Sequence, residues 1–148
     1  MTDTDMPTEA ASWEEALIAD LRANGGRPSE GPLAGHPLLL MFSTGAKSGE
    51  RRRSILTYSR AGDDFVVAGT ASGSKTDPAW IANVRANPTV ELEVDNETFA
   101  ARAVIEEGLE REGLWDEHVR QLPWFAEYPA QVGGREIPMV RLTRENAA

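Results

Sequence analysis

The sequence predicts an α+β fold: a small, mostly antiparallel β-barrel with helices packed outside it. Short apolar runs of strand length are joined by polar turns. The glycine turn at residues 45–49 lies between two strands instead of between a strand and a helix. The helical stretches interrupt the strands without alternating with them, which excludes a doubly wound parallel sheet. With 148 residues, 41% of them apolar, and four tryptophans, the chain can build one packed core. Residues 12–148 therefore form one expected domain behind a disordered leader, 1–11.

Taking the elements in order, Ser12 can cap a helix with Glu14 and Glu15 in its first turn. Trp13, Leu17, Ile18 and Leu21 recur along it at helical spacing until Asn24-Gly25-Gly26 stops it. A connector rich in Gly, Pro and Ser runs to Pro37, which holds His36 extended. Residues 38–42 are a continuous apolar run, a strand buried on both faces. A second strand is expected over 51–60 and, after the turn 61–64, a third over 65–68, its antiparallel neighbour. Beyond the small-residue loop 69–77, Asp77-Pro78 has the form of an N-cap followed by an N1 proline. The helix it opens turns Trp80, Ile81 and Val84 inward and stops near Asn87-Pro88. Residues 90–94 and 99–105 flank Asp95-Asn96-Glu97 as a hairpin. Residues 107–121 form a second long helix with Leu109, Leu114, Trp115, Val119 and Leu122 on its apolar stripe. Residues 123–128, a Gly133-Gly134 loop and a strand over 137–142 close the chain.

Charge marks one segment out. The formal net charge is −9, yet Lys47, Arg51, Arg52 and Arg53 fall within seven positions. Residues 45–60 hold five basic side chains against Glu50 alone, a net +4, so the rest of the chain carries −13. Nucleic acid is excluded as a partner, because a phosphate backbone needs a broad basic face and would be repelled on either side of this island. The same repulsion disfavours an anionic membrane surface. A small polyanion suits it. There is no cysteine, so no thiolate nucleophile, disulfide or thiolate metal site, and His36 and His118 are the only imidazoles. No metal site is expected. The N-terminal residues lack the pattern of a secretory signal and no run approaches transmembrane length, so stable membrane insertion is not expected and the localisation read from the chain is cytoplasmic.

Gly45-Ala46-Lys47-Ser48 has the look of a phosphate-binding loop, but Ala46 and Met41 stand where that loop requires glycine, and a strand follows where it requires a helix. Gly-x-Ser-x-Gly is absent. His118 is expected to be an exposed or half-buried helix residue, and Glu106-Glu107 and Glu110-Glu112 to be solvated charge. Lys47, Ser48, Arg52 and Arg53, with the loop 69–75 and the helix start at Pro78, read as a cofactor cradle of guanidinium, ammonium and free amide donors. The competing role for residues 51–53 is to shield an exposed strand from edge pairing.

Arg22-Ala23-Asn24-Gly25-Gly26, Leu38-Leu39-Leu40 through Thr44-Gly45-Ala46-Lys47-Ser48-Gly49, Asp77-Pro78-Ala79-Trp80 with Asn83 and Ala86-Asn87-Pro88, and Arg135-Glu136-Ile137-Pro138 together make the chain similar to the deazaflavin (coenzyme F420)-dependent nitroreductase and quinone reductase family. The resemblance implies a split β-barrel of the flavin-reductase type, like the pyridoxamine-phosphate-oxidase-like, FMN-binding barrels. It also implies hydride transfer between coenzyme F420, an 8-hydroxy-5-deazaflavin, and a small electron-poor acceptor: a quinone, enone or nitro compound. On this likeness Lys47, Ser48, Arg52 and Arg53 hold the coenzyme's phosphate or glutamyl tail, with Ala46 and Ser54 also among the cofactor-binding residues. Ile55, Leu56, Thr57, Val67, Ala68, Gly69, Thr70 and Phe125 surround its ring, and Ala79, Trp80, Ile81, Ala82 and Asn83 close the cradle. Tyr128 is the candidate catalytic residue, donating to the acceptor oxygen as negative charge develops. A homodimer is expected by analogy with the barrel class. The chain departs from the family's pattern at Ile55, where proline is usual, at Gly69-Thr70, and at Phe125, which is tyrosine in nitroimidazole-reducing members. Activation of nitro drugs is therefore not inherited. A non-catalytic F420 carrier and an FMN- or haem-binding barrel protein are the alternatives.

Overall fold

The computed structural model describes residues 8–29, 31 and 34–145. Seven strands form one sheet in the order β2-β1-β5-β6-β7-β4-β3, every pair antiparallel: β1 Leu38–Thr44, β2 Arg51–Thr57, β3 Ser59–Ala61, β4 Asp64–Ala68, β5 Thr89–Val94, β6 Glu97–Glu106 and β7 Met139–Arg144. The single strand expected over 51–60 is two. Tyr58 turns into the core against Phe65, its N–H donates to Pro37 O, and the chain leaves β1 to pair with β4. The two edge strands, β2 and β3, are thus separated by Tyr58 alone. A sheet whose outermost strands are consecutive in the chain must curl round to meet itself. It is joined at that corner and open elsewhere, and the opening positions the site.

Among the described residues four α-helices lie outside: α1 Thr8–Ala23, α2 Ala79–Ala86, α3 Gly108–Gln121 and α4 Tyr128–Gln131. Residues 1–7 of the expected leader lie outside the described residues, and α1 already begins at Thr8, ahead of the cap expected at Ser12. It buries Ile18 and Leu21 on Leu38 and Leu40, whereas Trp13 is 59% exposed, on the wrong side of the helix for the stripe assigned to it. In α2, Pro78 rather than Asp77 holds the N-cap position, with extended backbone, and Asp77 pairs with Arg135 instead. The β5–β6 turn has two residues, Asp95 (φ 51°) and Asn96 (φ 67°), and Glu97 already belongs to β6. That is the primed turn whose twist matches a hairpin. Leu109 is 91% exposed, so the buried face of α3 is Arg111, Leu114 and His118. The closing strand runs from Met139, two residues later than expected, because Pro138 carries no N–H for the ladder.

The barrel interior packs Leu39, Met41, Phe65, Val67, Ile81, Leu92, Val140 and Leu142 around Trp80. A second cluster, Val66, Leu114, Leu122, Phe125, Val132 and Met139, lies under α3. Gln121 covers the exposed edge of β3 by accepting from Arg60 N and donating to Arg60 O, at 2.9 and 3.0 Å.

Candidate functional site

The turn after β1 is built tightly. Gly45 N donates to Glu50 O at 2.7 Å, Gly49 N to Gly45 O at 2.9 Å, and Ser48 Oγ accepts from Glu50 N at 3.1 Å and from Arg52 at 3.4 Å. A Cβ on Gly45 would stand 2.5 Å from Ser48 Oγ and 3.3 Å from Glu50 O, so a side chain there would displace the Ser48 hydroxyl and crowd the turn. Asn83, buried on α2, accepts from Ala46 N at 2.9 Å and thereby ties this turn to that helix. Between them lies a cleft of about 600 Å³ lined by residues 45–48 and 52–54 on one side and by Ala79, Trp80, Ala82 and Asn83 on the other. Lys47 and Arg52 project there from exposed positions.

Period-2 alternation along β2 divides the arginines. Arg51 leans over the Phe42 ring at 4.1 Å and pairs with Glu91 at 2.6 Å, away from the cleft. Arg53 lies at the cleft's border, but its guanidinium meets Glu14 at 3.0 Å and Glu15 at 3.3 Å on α1. Both roles weighed for this triplet find a place, since β2 is an edge strand and also borders a cavity.

A smaller cleft of about 260 Å³ opens further along the split. Its walls are the edge residues Ile55, Leu56 and Thr57, the end of β4 with Ala68, Thr70 and Ala71, and the aromatic group Trp124, Phe125 and Tyr128. Trp80 lines both clefts. The aromatic wall is cross-braced: Trp124 to Phe125 at 5.3 Å, Phe125 to Tyr128 at 5.2 Å, and His36 against Trp124 at 4.5 Å. Three expected ring or cradle residues face elsewhere. Val67 and Ile81 point into the interior cluster. Gly69 packs its Cα side against Ile81 Cδ1 and Pro138 Cδ, 3.1 and 3.3 Å from where a Cβ would stand. The glycine is explained by close packing, so a side-chain hydroxyl there would displace both neighbours.

Three features escaped sequence reasoning. His118, expected exposed or half-buried, has 0% exposure: burial pushes its ring down to about 4, Nδ1 lies 2.6 Å from Ser59 Oγ, Nε2 has no partner among the described residues, and the ring meets Phe125 edge-on at 4.4 Å. Arg135 donates to the carbonyls of Gly69, Thr70 and Ser74 and to Asp77 Oδ1, at 2.7 to 3.0 Å, pinning the loop that forms one cleft wall. Glu106, expected to be solvated, is half-buried and pairs with Arg141 at 3.1 Å. Their hydrogen bonds and ion pairs join residues 35 or more apart in sequence, so no local spacing reveals them. A cavity of about 500 Å³ at the β3–β4 and β5–β6 turns is lined by Asp63, Asp64, Asp95 and Glu97, with Arg60 and Arg144 covering the Phe65 and Phe99 rings. Its own arginines occupy the aromatic faces, leaving the two clefts at the split as the site. Among the described residues no group of three or more His, Asp or Glu is placed to hold a metal ion, and no helix is long and apolar enough to cross a membrane.

A basic cleft and an aromatic cleft sharing one tryptophan suit a ligand with an anionic tail and a planar head. The family model described as F420H(2)-dependent quinone reductase matches residues 15–144. The chain belongs to that family. An F420H(2)-dependent quinone reductase of Mycobacterium tuberculosis is 32% identical over 126 residues, 83% of this chain and 84% of the relative. A solved F420-H2 dependent reductase, FDR-A, superposes with a TM-score of 0.65 at 33% identity, covering 72% of this chain and 93% of that one. A structure described as a domain-swapped dimer gives 0.67 at 28% identity, over 93% and 99% of the two chains. HutZ, the haem storage protein of Vibrio cholerae, shares the split-barrel fold at 17% identity with a TM-score of 0.54, over 90% of this chain and 91% of its own. Family membership makes the protein an F420H2-dependent reductase on a split β-barrel, with coenzyme F420 as its cofactor.

Proposed function

We propose that residues 12–148 act as one deazaflavin-binding domain that passes hydride from reduced coenzyme F420 to a flat, electron-poor organic acceptor: a quinone, enone or nitro compound. The observation that carries this reading is the continuity of the two clefts through Trp80. An elongated molecule anchored by its anionic end beside Lys47 and Arg52 reaches the aromatic cleft with its other end. The donor set fits such a group, with an ammonium and a guanidinium unopposed inside the cleft save by Glu50, 3.6 Å from Arg52. Ser48, whose oxygen is engaged in the turn, still has its hydroxyl hydrogen to donate.

When bound, the coenzyme supplies the hydride. The chain supplies orientation, exclusion of water and charge stabilisation. Trp80, Ala79, Ala82 and Asn83 form one side of the path, with Ser54, Ile55, Leu56 and Thr57 opposite. Ala68 and Thr70 bound the head cleft. Phe125, Trp124 and Tyr128 cover it with apolar surface, against which a planar acceptor can stack. Tyr128, half-buried and held edge-on by Phe125, presents the phenolic hydroxyl that stabilises an acceptor oxygen as it gains negative charge. The protein works as a homodimer in the cytoplasm on this reading, with support from the dimeric relative.

Anaerobic titration with oxidised and reduced coenzyme tests the reading, and absence of binding at micromolar concentrations refutes it. Oxidation of the bound reduced coenzyme on adding a quinone or enone separates an enzyme from a carrier. Flavin fluorescence or a Soret band in the purified protein would instead assign the barrel to FMN or haem. Sedimentation gives the oligomeric state.

A further inference from the structure

Resting on that reading, the geometry points to Glu14 and Glu15 as determinants of how strongly the coenzyme's anionic tail counts in binding: they compete with the tail for Arg53. Arg53 borders the basic cleft with its guanidinium committed to two carboxylates of the chain's own, Glu14 Oε1 at 3.0 Å and Glu15 Oε2 at 3.3 Å. A tail of phosphate and glutamyl groups offers the same chemistry, carboxylate or phosphate oxygen to guanidinium. The internal pair therefore stands in for the ligand. The arrangement is exchangeable, because the side chains are 33%, 41% and 69% exposed for Arg53, Glu14 and Glu15. Ion pairs this open are weak and screened by salt, so an incoming polyanion can displace them. Apolar contact holds the helix bearing them in place, with Ile18 and Leu21 buried on Leu38 and Leu40, so the carboxylates stay at the cleft border whether or not they are paired.

Two consequences follow for binding. Arg53 contributes less to tail capture than its position alone suggests, since its charge is already met. The two carboxylates also repel the tail directly, so the tail adds less to binding than the cations of the cleft would give without them. Among the described residues Lys47 has no carboxylate partner and Arg52 only Glu50 at 3.6 Å, so these two carry the first attraction.

The test is a fluorescence titration of the full chain with two ligands, oxidised coenzyme F420 and the tail-less deazariboflavin, at low and high salt. The Glu14→Gln/Glu15→Gln double variant is expected to bind the tailed coenzyme threefold to tenfold more tightly at low salt and the tail-less ligand with unchanged affinity. High salt should erase the difference. Adding Arg53→Gln should remove most of the gain and leave only the part due to direct repulsion, while Arg53→Gln alone in the wild-type background should cost less than twofold. Equal affinity of wild type and double variant for the tailed coenzyme overturns the competition, as does equal tightening toward both ligands. Wild-type binding of neither ligand overturns the deazaflavin reading and the competition with it, so the two failures are distinguishable. If loss of both glutamates loosens the helix, a thermal melt detects it, and the single variant Glu15→Gln, at the more exposed position, must still give part of the tail-specific gain.

Discussion

Replacing Arg135 with methionine keeps the aliphatic stem and removes the guanidinium that pins the loop 69–77. Four acceptors lose their donor: the carbonyls of Gly69, Thr70 and Ser74 and the Asp77 carboxylate. Water can replace the donor at Ser74 and Asp77, which are exposed. Gly69 and Thr70 are buried, so both carbonyls lose a charged donor that water does not readily replace, although Thr70 O keeps its bond from Gly73 N at 2.9 Å. At about 1.5–3 kcal/mol for a hydrogen bond to a charged group, with part recovered by relaxation, the two together give a loss of about 2–4 kcal/mol. For a chain of this length that is a fall in Tm of roughly 5–15 °C. The same guanidinium holds Ala71 next door at φ 48°, a left-handed conformation costing a non-glycine residue on the order of 1 kcal/mol, and release of that strain returns part of the loss. Lysine cannot rescue the site, because one ammonium does not reproduce a planar fork spanning three carbonyls. Urea unfolding measures the stability loss. Coenzyme titration and acceptor kinetics locate its functional effect: Thr70 and Ala71 line the aromatic cleft and not the basic one that anchors the tail, so acceptor turnover should fall by a larger factor than coenzyme affinity. A loss below about 1 kcal/mol, or equal damage to affinity and turnover, refutes the clamp.

Lys47→Ala and Arg52→Ala should each weaken coenzyme binding by about 1–3 kcal/mol with little change in melting temperature. Unchanged affinity in both would leave the basic strand with edge protection alone. Tyr128→Phe should lower kcat more than coenzyme affinity, and equal turnover would assign the ring to packing. His118 gives a pH signature: held near 4 when folded against 6.5 as a free imidazole, it is neutral in the native state while the unfolded chain takes up the proton, so stability falls as pH drops from 6.5 toward 4. The effect amounts to about 3 kcal/mol over that window and vanishes above pH 7. Urea midpoints of His118→Gln should lack this slope, and a parallel slope in the variant would place the proton uptake elsewhere.

What the sequence reveals depends on how locally each feature is determined. The β5–β6 hairpin, the glycine turn between strands and the amphipathic α2 were legible because their signals lie within a few residues. The break at Tyr58 was not, since residues 51–60 carry a continuous strand pattern and only the demand of β4 for a partner, with Pro37 O taking the Tyr58 amide, divides it. The basic cradle was legible as charge density. Its division of labour was not, because alternation along β2 sends Arg51 to Glu91 and Arg53 to α1, partners 40 and 38–39 positions away. Leu109 and Trp13 show the reverse error: helical spacing marks a stripe, but which helix face meets the sheet is decided by packing, and Arg111 and His118 take the buried face of α3 through bonds to Ile137 O and Ser59.

The two clefts also differ in what supports them, and this bears on how the reaction could diversify. The basic cleft is made by one β-turn, one strand edge and α2, locked by the Asn83 to Ala46 bond and by a glycine where a side chain would displace the Ser48 hydroxyl. The aromatic wall is mounted on other parts: α3 through His118 and Phe125, the 69–77 loop through Arg135, and the connector through His36, tilted against Trp124. Trp80 is the one side chain lining both. A substitution in the wall therefore changes which acceptor fits without loosening the tail anchor. At Gly69 the cost is different, since any side chain there must push on Ile81 in the barrel interior and on Pro138. Phe125→Tyr changes the wall by a single hydroxyl. It should shift the acceptor profile toward more polar oxidants while leaving coenzyme affinity unchanged, and a change in coenzyme affinity of tenfold or more would show that the two clefts are not independent after all.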